Sequence, residues 1–275
     1  MSVVKVYEER LLRPQDVDKS PVLQTRGLGI DFGGLTAVND FTVSIGRTEI
    51  CGLIGPNGAG KTTIFNLLTS VYQPTRGAVI VDGIDTKGKR VDQVNKLGVA
   101  RTFQNIRLFS NMTVLDNVKI GLSNSMKTNL LSSFTHLFTY KREEKVANER
   151  ALELLDVFDM RDKADSLAGS LPYGDQRRLE IIRALATNPC ILLLDEPAAG
   201  MNPSETASLM DNIRKIRDTF QIAVVLIEHD MSLVMGICET IAVINYGQII
   251  ARGTPDEIKN DPAVIEAYLG KKVEE

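Results

Sequence analysis

Residues 55–63 read GPNGAGKTT, and no other stretch of the chain restricts its fold so tightly. Gly55, Pro56, Asn57, Gly58, Ala59, Gly60, Lys61 and Thr62 fill the pattern G-x-x-x-x-G-K-[ST]; apolar EICGLI precedes them, and helical TTIFNLL begins at Thr62 and Thr63. The glycines let successive backbone N–H groups turn inward around phosphate oxygens, and the helix start adds a favourable dipole. Lys61 then reaches the terminal phosphates, and the Thr62 hydroxyl suits Mg²⁺, a hard cation that takes oxygen ligands. A strand must carry the chain into this loop and a helix must carry it out.

The remaining pattern agrees with such a core. Short apolar runs, EICGLIG, GAVIVDG, CILLLDE, IAVVLIE and TIAVIN, alternate with helical segments, and QIIARG follows across a Tyr246-Gly247 turn. Continuous apolar strands between helices predict a largely parallel sheet covered on both faces. Asn202 as N-cap with Pro203 after it predicts one helix, bearing Leu209, Ile213, Ile216 and Phe220 at helical spacing. Thr254, Pro255 and Glu257 predict a capped start, and Asp261-Pro262 a last short helix. From 106 to 175 strand runs stop and helical patterns take over, among them amphipathic Val146 to Phe158. The expected organisation is an arm over 1–20, an α/β core over 21–105 and 176–275, and a helical sub-domain inserted over 106–175.

With 32 basic and 35 acidic residues, the chain offers no global field for nucleic acid or an anionic membrane, so any anion is captured locally. Cys51, Cys190 and Cys238 lack C-x-x-C spacing and lie in apolar runs, which predicts buried thiols in a reducing compartment. The amino-terminal residues are too charged for a signal peptide, and the longest apolar runs are far too short to span a bilayer.

A nucleotide site needs a carboxylate on its metal side. CILLLDE delivers Asp195 and Glu196 to the C-terminal end of a strand, where open parallel sheets bind ligands. Asp195 can complete a Mg²⁺ shell, and Glu196 can take a proton from water attacking a γ-phosphate. His229 closes the next strand, VVLIEHD, on the same predicted edge, whereas His136 reads as structural or merely exposed. Gln104 leaves a β-like run where the insertion begins. SLPYGDQRRLE, from residue 170, reads as a second helix start, with Asp175 in its first turn.

With the phosphate loop, the glutamine, SLPYGDQRRLE, LLLDEP and EHD in this order, the chain resembles an ATP-binding cassette (ABC) ATPase over nearly its whole length. FGGLTAVND, GVARTFQNIRLFSNMTVLDNV, LLDEPAAGMNP and GTPDEIKNDPAVIEAYLG narrow the resemblance to the ATP-binding subunits of branched-chain amino acid importers. The resemblance implies a P-loop NTPase core with a mostly parallel sheet, an antiparallel β part and the helical insertion, using ATP and Mg²⁺. It implies a second ATPase subunit, identical or different, two membrane permeases, an extracytoplasmic substrate receptor, no nucleic-acid partner, and a place on the cytoplasmic face of the membrane. Urea, short amides or exported lipid remain alternative cargoes, and a soluble clamp on ribosome or DNA is the competing class.

Residue roles follow by the same resemblance. Phe32 corresponds to an aromatic that stacks on adenine, the alternative being a core phenylalanine before a turn. Gln104 corresponds to a residue touching Mg²⁺ or the attacking water, Glu196 to the catalytic base, and His229 to the γ-phosphate switch. Leu171, Tyr173, Gly174 and Asp175 form a signature that faces the partner's nucleotide. Pro172 departs from the usual serine, and Asp175 sets an acid near an anion. Asn202 stands where many relatives carry aspartate. The apolar group Ile106, Leu108, Phe109 and Met112 is either a permease-docking groove or core of the insertion.

Overall fold

A computed structural model describes residues 17–123 and 137–269. Most of the expected arm, and His136, lie outside the described residues. The described residues form two compact units, one drawn from 1–101 and 190–275 and the other from 102–189.

The first unit opens with β1 (Pro21–Phe32), β2 (Leu35–Phe41), β3 (Ser44–Gly46), β4 (Ile50–Ile54), α1 (Lys61–Leu68), β5 (Arg76–Val81), β6 (Ile84–Asp85), α2 (Val91–Lys96) and β7 (Val99–Arg101). The second unit holds α3 (Val114–Ser123), α4 (Leu137–Val157) and α5 (Tyr173–Leu185). The first unit then resumes with β8 (Ile191–Asp195), α6 (Pro203–Phe220), β9 (Ala223–Ile227), α7 (Met231–Ile237), β10 (Thr240–Asn245), β11 (Gln248–Gly253), α8 (Pro255–Lys259) and α9 (Pro262–Leu269).

Six strands form one sheet in the order β11-β10-β4-β9-β8-β7. The ladders are parallel except the hairpin of β10 with β11. Every residue of β4, β8 and β9 is buried, which is why these strands read as unbroken apolar runs. A second, antiparallel sheet runs β2-β1-β5-β6, with β3 also on β1. Phe65 and Ile64 of α1, Leu23 and Val81 of the antiparallel sheet, and Leu53, Leu193 and Val225 of the parallel sheet share one apolar core.

Two sequence expectations need adjustment. GAVIVDG does not join the parallel sheet: it is β5, paired antiparallel with β1 at Leu23↔Val81, and only alternate residues of its second half are buried. The insertion is wider than 106–175, because α5 packs with α3 inside the second unit and carries residues 176–189 with it. Gly121 permits that packing, since a Cβ there would lie 2.4 Å from the Arg183 carbonyl oxygen. The chain leaves and re-enters the first unit on neighbouring strands, where Cys190 and Ile191 both donate to Gly98 O.

The helix starts follow their local signals. Asn202 accepts from Ser204 N and Glu205 N while the Glu205 carboxylate accepts from Asn202 N, and Thr254 makes the same reciprocal cap with Glu257. Cys51 and Cys238 are buried, and burial pushes the Cys51 thiol up to about 12; Cys190 is only half-buried.

Candidate functional site

The strand register builds an edge. Leu53 of β4 and Asp195 of β8 both stand opposite Ile227 of β9, so these three strands end together. Residues 55–60 leave β4 at that edge, Glu196 leaves β8, and Glu228 with His229 leaves β9.

The phosphate loop closes on its own lysine. Lys61 Nζ donates to Gly55 O at 2.6 Å and Pro56 O at 2.9 Å. Its side chain is buried, which lowers its pKa, while Glu196 and Asp195 act in the opposite direction. Gly55 must be glycine, because a Cβ would sit 2.1 Å from Ile244 O, and Gly60 starts α1 from φ +104°. No side chain caps α1 and no acid occupies its first turn, so the helix start presents its amide dipoles without a resident negative group. Thr62 is exposed there, and Thr63 is half-buried.

Asp195 ends β8 as a buried carboxylate, with Oδ2 accepting from Arg101 Nη2 at 2.6 Å. Arg101 also donates to Asn66 Oδ1 at 2.7 Å, and its guanidinium lies 5.4 Å from the centre of the Phe65 ring. Glu196 takes a left-handed backbone with φ +48°, a conformation that L side chains hold at a cost and that gathers at functional sites. Its Oε1 lies 3.0 Å from His229 Nε2.

Glu228 organises both loops. Its buried carboxylate accepts from Ala198 N at 2.6 Å and from His229 N at 2.9 Å. Burial raises its pKa, and those backbone donors work against the rise. Sequence reasoning missed Glu228 and Arg101, because an acid or a cation at a strand end carries no spacing signal.

Phe32 ends β1 with 43% of its surface exposed, which removes the core alternative. Tyr72 meets it edge-on, with ring centres 5.2 Å apart and planes at 73°. This second aromatic was also missed.

Gln104 and the signature residues belong to the second unit. Gln104 is exposed. Tyr173 opens α5 and is exposed, Gly174 is half-buried, and Leu171 is buried, its carbonyl accepting from Gln176 Nε2 at 2.8 Å. Asp175 is buried against two cations of its own unit: Lys163 Nζ donates to Oδ2 at 2.7 Å and Arg178 donates to Oδ1. Ile106, Leu108 and Met112 are half-buried and Phe109 is exposed, so this group is not interior core.

The family model described as ABC transporter matches residues 38–199. The chain belongs to the ABC transporter family. A second model, for branched-chain amino acid ATP-binding cassette transporters, matches residues 248–274 of this cassette, the segment holding β11, α8 and α9. The cassette is 46% identical over 251 residues to the high-affinity branched-chain amino acid transport ATP-binding protein BraF of Pseudomonas aeruginosa, covering 91% of this chain and 98% of the relative.

Among solved structures, a nucleotide-free ATP-binding cassette of an ABC transporter superposes with TM-score 0.79 at 32% identity, over 92% of this chain and all of the other. An ABC cassette in its ADP conformation gives the same TM-score at 30% identity and the same coverage. The cassette therefore has the P-loop NTPase fold, and it is an ABC-family ATPase. No described helix is long and apolar enough to cross a membrane.

Proposed function

We propose that this cassette hydrolyses ATP to power uptake of branched-chain amino acids, acting at the cytoplasmic face of a membrane on two permease subunits supplied by an outer substrate receptor. The observation that carries the cargo is the match of residues 248–274 to the branched-chain family, with BraF as a relative along nearly the whole chain. The half-exposed Ile106, Leu108, Phe109 and Met112 support a docking surface for a permease.

Within the site, Phe32 stacks on adenine, and the backbone of Gly55 to Thr63 holds the phosphates. Lys61 trades its two loop carbonyls for phosphate oxygens. Among the described residues no three His, Cys, Asp or Glu converge on a metal. One carboxylate and one hydroxyl suit a cation shared with phosphates, and Asp195, Thr62 and Gln104 would hold Mg²⁺ in that way. Bound there, the cation neutralises charge on the phosphate oxygens.

Glu196 accepts the proton of the attacking water, and His229 orients Glu196 while contacting the γ-phosphate. The Glu196–His229 approach of 3.0 Å supports this pairing. Leu171, Tyr173, Gly174 and the start of α5 face the nucleotide of a second cassette, so ATP joins the pair and hydrolysis releases it. Pro172 supplies no hydroxyl, and the Asp175 charge is spent on Lys163 and Arg178.

Glu196→Gln tests the chemistry. Turnover drops about 10²- to 10⁴-fold, while ATP-dependent pairing, followed by light scattering, persists. Ordinary turnover in this variant would remove the base assignment. Cells whose only copy carries Lys61→Ala lose leucine uptake; unchanged uptake alongside lost ATP binding would remove the transport reading.

A further inference from the structure

Arg177 heads the largest wholly buried side chains among the described residues. It lies on α5 with Glu180 one turn later, and both are sealed from solvent. Arg177 Nη1 donates to Glu180 Oε2 at 2.9 Å and to Phe103 O at 2.6 Å, and Nη2 donates to Gln104 O at 2.9 Å. Glu180 Oε1 accepts from Arg107 N at 3.2 Å.

Residues 102–109 form neither helix nor strand. Such a loop has no ladder to satisfy its backbone, so its polar groups need partners from elsewhere. Here three of them, Phe103 O, Gln104 O and Arg107 N, are met by one ion pair on α5, and Arg107 folds back over the Phe103 ring at 4.1 Å. An apolar pair of similar volume could fill this interior, because desolvating two charges offsets much of their attraction, but it would leave these three backbone groups without those partners. What the apolar pair would lack is a planar fork that grips two successive carbonyls at fixed spacing.

We infer that Arg177 is a positioning residue for Gln104. It ties the Gln104 backbone to the helix that begins at Tyr173 and Gly174, so the group serving the chain's own nucleotide and the helix start facing the partner's nucleotide are held in one frame. This rests on the roles proposed above for Gln104 and α5. The coupling is carried by identified hydrogen bonds rather than a notional path, among them those from α5 to Phe103 O, Gln104 O and Arg107 N, and these can be removed by substitution.

The test uses the full chain with Mg-ATP. Arg177→Lys retains the charge opposite Glu180 but cannot span both carbonyls. It is expected to lower kcat about tenfold, with KM within about twofold, and to speed amide exchange at residues 103–107 but not across α3 and α4. Arg177→Met combined with Glu180→Leu removes the charges while keeping the interior filled; it should fold, melting below the wild type because three backbone groups lose these partners, and show the same kcat loss. Added to Gln104→Ala, Arg177→Lys should cause no further loss. Wild-type kcat in either folded Arg177 variant, exchange rising evenly through the unit, or losses that multiply in the combined variant would each overturn the inference. A silent Gln104→Ala would overturn the role given to Gln104 instead, and the exchange at 103–107 would then decide separately whether Arg177 holds the loop.

Discussion

Arg101 Nη2 lies 2.6 Å from Asp195 Oδ2, and both side chains are 7% exposed. Their strands are neighbours, with Arg101 paired to Leu193, and the guanidinium continues to Asn66 on the helix that leaves the phosphate loop. The pair thus joins β7, β8 and α1. Arg101→Met strands a buried carboxylate and should cost about 3–5 kcal/mol in denaturant unfolding. Adding Asp195→Asn should restore more than half of it. A single-variant loss below about 1 kcal/mol, the scale of an exposed pair, would show that the carboxylate finds another partner.

Phe32 is exposed and packs against Tyr72 in a T-shaped contact. Base stacking on an aromatic contributes roughly 1–3 kcal/mol, so Phe32→Ala should weaken ATP binding about fivefold or more. Binding of inorganic triphosphate, which has no base, should stay the same. Equal weakening of both ligands in calorimetry would point to a distorted loop rather than lost stacking.

Asp175 is neutralised inside its own unit by Lys163 and Arg178. Asp175→Asn should therefore destabilise the protein by about 1–2 kcal/mol, given that both cations are partly solvated. The ATP concentration that half-assembles the pair should move less than about twofold. A tenfold tightening, worth about 1.4 kcal/mol, would mean that the carboxylate faces phosphate after all.

Asp230 caps α7, accepting from Ser232 N at 2.9 Å and Leu233 N at 3.3 Å. The Ser232 hydroxyl, and then these amides, hold its carboxyl below the ordinary value of 3.8. Because the folded pKa is depressed, the stabilisation is present above 3.8 and fades as pH falls through the folded value. Asp230→Ala should cost about 1 kcal/mol at pH 7. The gap between wild type and variant, read from unfolding curves, should narrow as pH is taken below 3.8; a constant gap would assign the loss to packing.

The local parts of the molecule were legible from residue order. The phosphate loop, the reciprocal caps at Asn202 and Thr254, and the start of α5 each depend on partners a few positions away. The periodicity of a helix or a tight loop sets those distances in advance. Asp195, Glu196 and His229 could be assigned to one edge because parallel strands of similar length end together. The resemblance added Phe32, Gln104 and the signature, whose own residues carried little signal. The insertion boundary was less legible, because an amphipathic helix such as α5 does not declare which unit its apolar face will join.

By itself the sequence determined an α/β phosphate-binding core, the helix starts at Asn202 and Thr254 and the strand that bears the acids, since these follow from backbone geometry over a few residues. Tertiary structure alone decided that Arg101 would meet Asp195 from 94 positions away, that Arg177 would grip carbonyls 73 and 74 positions back, and that Glu228 would bond Ala198 across 30. Such partners are chosen by which strands and helices bury their apolar surfaces together. That choice is a property of the whole core, and no spacing along the chain encodes it.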